Sequence, residues 1–166
     1  TMVGYPELFY QGKRQTVAQY PNGDQWLTIP SDHNGASDSF VSSIPREHQW
    51  QNYSDAWAHG YFRWNWADSY EKITGAPNDL VTFQSNSFYG IKAGQRYRFV
   101  NVLEELDAPG EYYIDRAAMR VYFYPPASGF QNFTSLSAVN EGVVKIADCQ
   151  YVTFQGFTVR NGRSNG

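Results

Sequence analysis

The clearest alternation of hydrophobic and polar residues lies in residues 98–126. An apolar run opens this stretch, and a turn follows at Pro109-Gly110, because proline fixes φ and glycine tolerates positive φ. Residues 111–115 then alternate between the two faces of a strand. A second connection leads to residues 121–124, and Pro125-Pro126 ends that strand because proline cannot donate to a ladder. The pattern predicts three consecutive strands in a meander, onto which the remaining segments pack.

The rest of the chain consists of short apolar or alternating runs separated by turn residues. Residues 7–20 predict a hairpin with its turn at residues 11–13. Residues 80–84 and 88–91 predict two further short strands. Roughly nine or ten such strands, with a turn about every 8–12 residues, predict an all-β fold, an antiparallel sandwich or barrel of short strands.

The last segment has a different pattern. Residues 143–146, 151–154 and 157–159 are very short apolar runs, and such a triplet is typical of one coil of a right-handed parallel β-helix. A lone coil leaves one face uncovered, because solenoid units bury their cores against stacked neighbours. We therefore predict a sandwich-like or barrel-like domain at 1–135 and the truncated start of a β-helix at 136–166. The sequence is expected to be part of something larger.

Composition narrows the class of partner. The formal net charge is -3 with basic residues scattered among acidic ones, whereas a nucleic-acid surface needs a basic stripe. No apolar run approaches the roughly 18 residues that span a bilayer, and the first residues lack the pattern of a signal peptide. Cys149 has no second cysteine to pair with, and we expect a buried, unreactive thiol. Aromatic residues make up 17% of the chain, and they are its distinctive feature.

Aromatic residues beside polar ones suggest a sugar-binding surface. A sugar ring presents C–H groups on one face, so Trp or Tyr can stack on it while polar side chains fix its orientation. Residues 59–68 alternate as a strand, with Phe62, Trp64 and Trp66 on one face. Because Trp is also a core residue, one face of this strand is equally compatible with a purely structural role. The candidate ligand-binding residues are Trp57, Tyr61, Arg63, Trp64 and Trp66, with Trp26 and Trp50 as further candidates.

The carboxylates do not predict a catalytic pair. Glu111 and Asp115 would project from one face of a strand roughly 13 Å apart, beyond the roughly 5–9.5 Å that glycoside hydrolysis uses. Asp107 lies across a turn from Glu111 and could approach it more closely, but carboxylates beside turns are common as caps. We assign no catalytic residue to this chain.

Metal-binding patterns are weak. The three histidines have no metal-ligand spacing. The loop residues Asp32, Asn34 and Asp38 offer three oxygen ligands for Ca²⁺, but the loop lacks the bidentate Glu of an EF-hand, so a solvated turn is favoured. We expect no cofactor, with Ca²⁺ as the weak exception.

Four stretches together resemble a known architecture. They are LFYQGKRQTVAQYPNG at 8–23, AWAHGYFRWNWAD at 56–68, NVLEELDAPGEYYIDRAAMRVYFYPP at 101–126 and YVTFQGFTVRNGRSNG at 151–166. In this order they resemble the N-terminal half of secreted right-handed parallel β-helix proteins. Such proteins occur among bacterial glycoside hydrolases of xylosidase and fucosidase type and among polysaccharide lyase-like relatives.

The resemblance implies a β-rich domain inserted near the first coils of a β-helix. It also implies that the catalytic carboxylates lie on later coils, outside this chain, so the chain alone is not expected to be an enzyme. The expected protein is monomeric, and secreted or periplasmic. Its expected partners are a polysaccharide or oligosaccharide and the rest of the β-helix polypeptide.

Three hypotheses from different classes follow. The chain is a carbohydrate-binding or substrate-positioning domain, a structural insertion that caps the helix end, or a contributor of loops to an active site completed elsewhere. Solvent exposure of Trp57, Trp64 and Trp66 separates the first hypothesis from the second. We favour the first.

Overall fold

The computed structural model describes residues 5–126, 134–137 and 143–162. Within them the chain is all-β, with short 3₁₀ helices at Arg46–Gln49, Pro77–Asp79 and Leu103–Glu105. The described strands are β1 Glu7–Tyr10, β2 Lys13–Arg14, β3 Thr16–Val17, β4 Gln19–Tyr20, β5 Leu27–Thr28, β6 Ser31–Asp32, β7 Ser39–Val41, β8 Trp57–Gly60, β9 Ser69–Gly75, β10 Leu80–Phe83, β11 Arg96–Val100, β12 Glu111–Asp115, β13 Arg120–Phe123 and β14 Thr134–Ser137. The all-β prediction is confirmed.

The chain divides into two units, residues 1–15 with 127–166 and residues 16–126. In the first unit, β1 lies between β14 and β2 in an antiparallel sheet. The β1–β2 hairpin turns at Gln11 and Gly12, both with positive φ. The hairpin prediction is confirmed, although its second arm is much shorter than expected. The boundary predicted between residues 135 and 136 stays a prediction.

Residues 143–162 of the first unit contain no strand. Their apolar side chains, including Val143, Ile146 and Phe157, are exposed. The predicted strands are therefore absent from these residues, and the β-helix coil is not shown. Cys149 is exposed rather than buried, because it lies in this uncovered segment.

The second unit contains two sheets. The larger has the strand order β4-β11-β8-β9-β10-β7-β6, with β5 also pairing with β11, and its pairs are antiparallel. The smaller has the order β13-β12-β3, where β12 is antiparallel to β13 and parallel to β3. The described strands of the larger sheet run from β4 to β6 without closing, so the barrel alternative is not supported.

The predicted meander is divided between these sheets. The β12–β13 hairpin is present, but β11 belongs to the larger sheet and does not pair with β12. Asn101, at φ 56°, and the 3₁₀ turn Leu103–Glu105 follow β11. They redirect the chain, since a left-handed residue ends an extended strand.

The core of the second unit lies on one face of the larger sheet. Its rings pack edge to face, for example Phe40 on Tyr97 at 4.6 Å and Phe62 on Phe83 at 5.2 Å between centroids, which is a favoured aromatic geometry. The cluster comprises Ile29, Phe40, Trp50, Ala56, Ala58, Phe62, Ile73, Ala76, Val81, Phe83, Ile91, Tyr97, Phe99 and Val102. Because strand residues alternate in direction, the other face of the sheet carries His59 opposite Arg98 and Tyr70.

The strand predicted over residues 59–68 is wrong. β8 ends at Gly60, and residues 61–68 form a loop before β9. Phe62 is buried, whereas the chain turns at residues 64–67, where the Ala67 N–H donates to the Trp64 carbonyl at 3.1 Å. The predicted strand at 88–91 is also a turn, closed by the Gly90 N–H on the Ser87 carbonyl at 2.9 Å. Helices long and apolar enough to traverse a bilayer are lacking in the described residues.

Candidate functional site

Two loops of the second unit present large aromatic side chains to solvent. Loop 61–68 places Trp64 and Trp66 at 45% and 70% exposure, and loop 84–90 places Phe88 and Tyr89 at 87% and 47%. The Trp66 and Tyr89 ring centroids are 5.3 Å apart, and those of Phe88 and Tyr89 are 4.8 Å apart. We call Trp66, Phe88 and Tyr89 the aromatic corner, because each adjoining pair of rings is close to perpendicular.

Backbone and side-chain contacts hold both loops in place. Phe62 is buried in the core, and its carbonyl accepts from the Lys92 N–H at 2.9 Å. Gln95 Nε2 donates to the Arg63 carbonyl at 3.0 Å. The Arg63 guanidinium lies over the Trp64 ring at 5.7 Å. In loop 84–90, the Ser87 N–H donates to the Ser37 carbonyl at 2.7 Å. The exposed rings therefore sit on loops fixed at their bases.

A small pocket of about 150 Å³ adjoins the aromatic corner, and we call it the corner pocket. Phe62 and two corner rings form its apolar wall, and its polar lining comprises Arg63, Asp68, Ser69 and Ser87. A cavity of this size accepts part of a ligand, since pockets for whole drug-sized molecules are about 300–1,000 Å³. The site therefore combines apolar stacking surface with polar groups that fix orientation.

Trp26 and Tyr61 lie in a different environment, on the outer face of the larger sheet. The Arg96 guanidinium lies 4.1 Å from the Tyr61 ring centroid and 5.3 Å from that of Trp26. Arg98 lies 4.3 Å from the Trp26 ring. These cation–π contacts stabilise the sheet face, and they occupy ring surface that a sugar would need.

His59 connects this sheet face to the corner pocket. Its Nε2 is 3.2 Å from an Asp68 carboxylate oxygen, and Arg98 Nε donates to its Nδ1 at 3.2 Å. Because a guanidinium can only donate, Nδ1 is the acceptor and Nε2 carries the proton of the neutral ring. Burial lowers the pKa of His59, the Arg98 charge lowers it further, and the Asp68 hydrogen bond opposes both. The ring also stacks on Tyr70, with centroids 4.1 Å apart.

The structure separates the remaining predicted tryptophans from the corner. Trp50 is only 5% exposed, and its Nε1 donates to the buried Glu105 carboxylate at 2.7 Å. It therefore offers no ring to a ligand. Trp57 is half-buried, and its Nε1 donates to Asp55 at 3.2 Å. Of the seven predicted residues, Trp66 belongs to the corner, Arg63 lines its pocket and Trp64 is exposed on the same loop.

The turn carboxylates have structural partners. Glu111 is buried, and one oxygen accepts from the Ala108 N–H at 3.1 Å and the Asp107 N–H at 3.3 Å. Burial raises the pKa of Glu111, and the amide hydrogen bonds partly offset this. The Asp107 carboxylate accepts from Asn22 at 2.8 Å instead. Glu111 also lines a cleft of about 520 Å³ with Arg98 and other residues.

The calcium candidate loop shows no ligand cage of acidic side chains. Asp38 Oδ1 accepts from the Ser39 hydroxyl at 3.2 Å, and Asn34 is in the left-handed region at φ 52°. Across the described ranges, no group of three or more His, Cys, Asp and Glu side chains could hold a metal ion. Asp32, Asn34 and Asp38 therefore stay the weak calcium candidate of the sequence analysis, with a solvated turn as the favoured interpretation.

Sequence reasoning missed Phe88 and Tyr89 as site residues, whereas Asp68 was already among the polar residues between the candidate aromatic side chains. Phe88 and Tyr89 stand between Ser87 and Gly90, within a segment rich in turn residues. Large aromatic residues in a turn have no sheet to pack against, so this context indicated exposure. The role of Asp68 depends on His59, nine residues earlier, and required the fold.

No protein-family model matches the chain, and no curated protein matches its sequence at a significant level. A solved structure titled "Glycoside hydrolase" is similar in fold, with a TM-score of 0.62 and 17% sequence identity. The match covers 78% of this chain and 26% of that chain. The chain thus spans about a quarter of the length of the matched structure, and at this identity the likeness shows the fold alone.

Proposed function

We propose that this chain is a carbohydrate-binding or substrate-positioning part of a polysaccharide-degrading protein, with the glycan held at the aromatic corner. The observation that carries the proposal is the packing of the exposed Tyr89 ring against both Trp66 and Phe88, beside a pocket with polar lining. A contiguous exposed apolar patch with polar neighbours commonly marks a binding site.

The chemistry of the corner suits a sugar. The C–H face of a pyranose gains contact area against an aromatic ring, and its hydroxyl groups need hydrogen-bond partners once water is displaced. Asp68, Ser69 and Ser87 line the corner pocket and can supply such partners. Trp64 extends the exposed aromatic surface along the same loop.

The fold likeness to a structure titled "Glycoside hydrolase" supports a carbohydrate-active parent protein. In this proposal the catalytic carboxylates lie outside residues 1–166, on later coils of a right-handed β-helix whose first coil is at 136–166. The proposed location is outside the cytoplasm, secreted or periplasmic, as polysaccharide degradation requires.

A second candidate function is a contribution of these loops to the active site of the parent enzyme. The partial coverage favours it, because 26% of the matched chain corresponds to this sequence. In that case a longer polypeptide would be active, and Phe88→Ala, which truncates an 87% exposed ring, would lower its kcat/KM with little effect on stability.

Affinity gel electrophoresis against a panel of soluble polysaccharides tests the principal proposal. Trp66→Ala is expected to raise the dissociation constant obtained from retardation by about tenfold, or about 1.4 kcal/mol, because Trp is enriched among the interface residues that cost most when truncated. Tyr124→Ala is the matched control, since Tyr124 is an exposed aromatic residue that is not one of the three corner rings and does not line the corner pocket. Retardation that is equal in both variants would exclude the corner as the binding site.

A further inference from the structure

We propose that the aromatic corner takes a single, soluble, uncharged glycan chain rather than the flat face of a crystalline polysaccharide. This inference rests on the proposed glycan-binding function and specifies the class of ligand.

The geometry of the rings excludes a flat ligand. The Trp66 and Tyr89 planes meet at 70° and the Phe88 and Tyr89 planes at 89°. A crystalline polysaccharide presents coplanar sugar rings, which need coplanar aromatic rings to stack on. Near-perpendicular rings can instead contact the face and the edge of one sugar at the same time. The aromatic corner therefore fits a single glycan chain in solution.

The charges around the corner pocket favour an uncharged sugar. Its lining contains one cation, Arg63, and one anion, Asp68. Arg63 already donates to the Ile91 carbonyl at 3.5 Å and lies over the Trp64 ring. The Asp68 side chain is half-exposed, with one oxygen on His59 Nε2. A carboxylate there can accept from sugar hydroxyls and repels the carboxylate of a uronic acid.

The corner is too small for a stable protein partner. Specific protein interfaces bury about 1,200–2,000 Å², whereas the corner consists of three side chains and a pocket of about 150 Å³. A sugar chain of a few residues matches that scale better than a second copy of this chain.

The test compares three kinds of ligand on the 166-residue chain. Hydroxyethylcellulose, mixed-linkage β-glucan, xylan and glucomannan serve as soluble neutral chains, and polygalacturonate and alginate as soluble acidic chains, all by affinity electrophoresis. Crystalline cellulose and crystalline chitin are tested by co-sedimentation. Each is repeated with Trp66→Ala, with Asp68→Asn, and with Asp24→Asn, which makes the same charge change at an exposed residue outside the corner pocket.

The expected result is Trp66-dependent binding of a neutral soluble chain, at least about tenfold stronger than binding of any acidic chain, with no co-sedimentation on crystals. Asp68→Asn is expected to reduce the difference in affinity between neutral and acidic chains at low ionic strength, where charge repulsion is least screened. Asp24→Asn is expected to leave that difference unchanged. Equal or stronger Trp66-dependent binding to crystals or to acidic chains would overturn this inference and leave glycan binding intact. Absence of binding to every ligand, or a Trp66-dependent dimer in sedimentation velocity, would overturn both proposals.

Discussion

At the scale of single residues, the buried carboxylate of Glu105 accounts for the burial of Trp50. Its carboxylate accepts from Trp50 Nε1 at 2.7 Å and from Arg46 Nε at 2.9 Å. Hydrogen bonds of this kind compensate the cost of burying a charge. The hydrogen bond from Trp50 also holds its indole inside the core cluster, where the Trp50 and Phe99 ring centroids are 4.7 Å apart. Trp50 is therefore a core residue because a carboxylate satisfies its only polar atom.

His59 gives the residue-scale prediction, which concerns pH. Burial lowers the pKa of His59 below its unfolded value of about 6.5, so the unfolded chain binds its proton more readily than the folded chain. The contribution of neutral His59 to stability is present in full above about pH 6.5, and it is lost as the pH falls through the folded-state pKa. His59→Gln is expected to remove this part of the pH dependence.

Urea unfolding between about pH 5 and pH 8 measures the effect. The difference in unfolding free energy between wild type and His59→Gln cancels groups present in both, including Glu111 with its raised pKa. The wild-type advantage should grow as the pH rises from the acid end of this range. A difference that does not vary with pH would show that His59 has the same proton affinity in both states.

At the scale of elements, the junction between the two sheets of residues 16–126 depends on Asn101. The residue is buried at φ 56°, a conformation that Asn tolerates better than most residues. Its side chain donates to the Asp55 carbonyl at 3.0 Å and accepts from the Ile114 N–H at 3.1 Å. One side chain thus links the end of β11 to β12 in the other sheet.

Asn101→Ala is expected to lower the free energy of unfolding by about 2–4 kcal/mol, through lost hydrogen bonds and a left-handed alanine. The matched control is Asn78→Ala, because Asn78 has φ 51° but is exposed. That change carries the conformational cost alone, about 1–2 kcal/mol. Chemical denaturation of both variants separates the two effects. Equal losses would mean that the Asn101 hydrogen bonds contribute nothing net.

Local pattern predicted those elements whose pairing is also local. The β12–β13 and β1–β2 hairpins follow from alternation and turn residues within a short stretch. Residues 61–68 show where this fails, because alternating Phe62, Trp64 and Trp66 fit a strand and a loop equally well. Only contacts with distant parts of the chain, such as the Phe62 ring on Phe83, decide between them.

The sequence predicted the type of candidate site, exposed aromatic residues beside polar ones, better than it predicted which residues come together there. Exposed tryptophans beside polar residues predicted Trp64, Trp66 and Arg63, all of which lie at or beside the corner. Trp50 could not be placed, because its partner Glu105 lies 55 residues away in sequence. Phe88 and Tyr89 join Trp66 only through the approach of two loops, which no short stretch of sequence encodes.

At the scale of the molecule, one unit contains both the main core and the proposed site. Residues 16–126 include every member of the core cluster and all the residues of the aromatic corner. Roughly 110 residues with their own hydrophobic core are in the usual size range of an independently folding domain. Among the described residues, all that form the corner and line its pocket belong to residues 16–126.

We therefore expect a fragment of residues 16–126 to fold alone and to bind the same glycan as the whole chain. Urea unfolding followed by tryptophan fluorescence should give a single cooperative transition, since Trp50 reports on the core and two-state behaviour is usual at this size. In a matched fragment, Phe99→Ala should lower the free energy of unfolding by about 3–5 kcal/mol, because the substitution leaves a cavity beside Trp50. A gradual, non-cooperative change in the parent fragment would mean that residues 1–15 or 127–166 complete the domain.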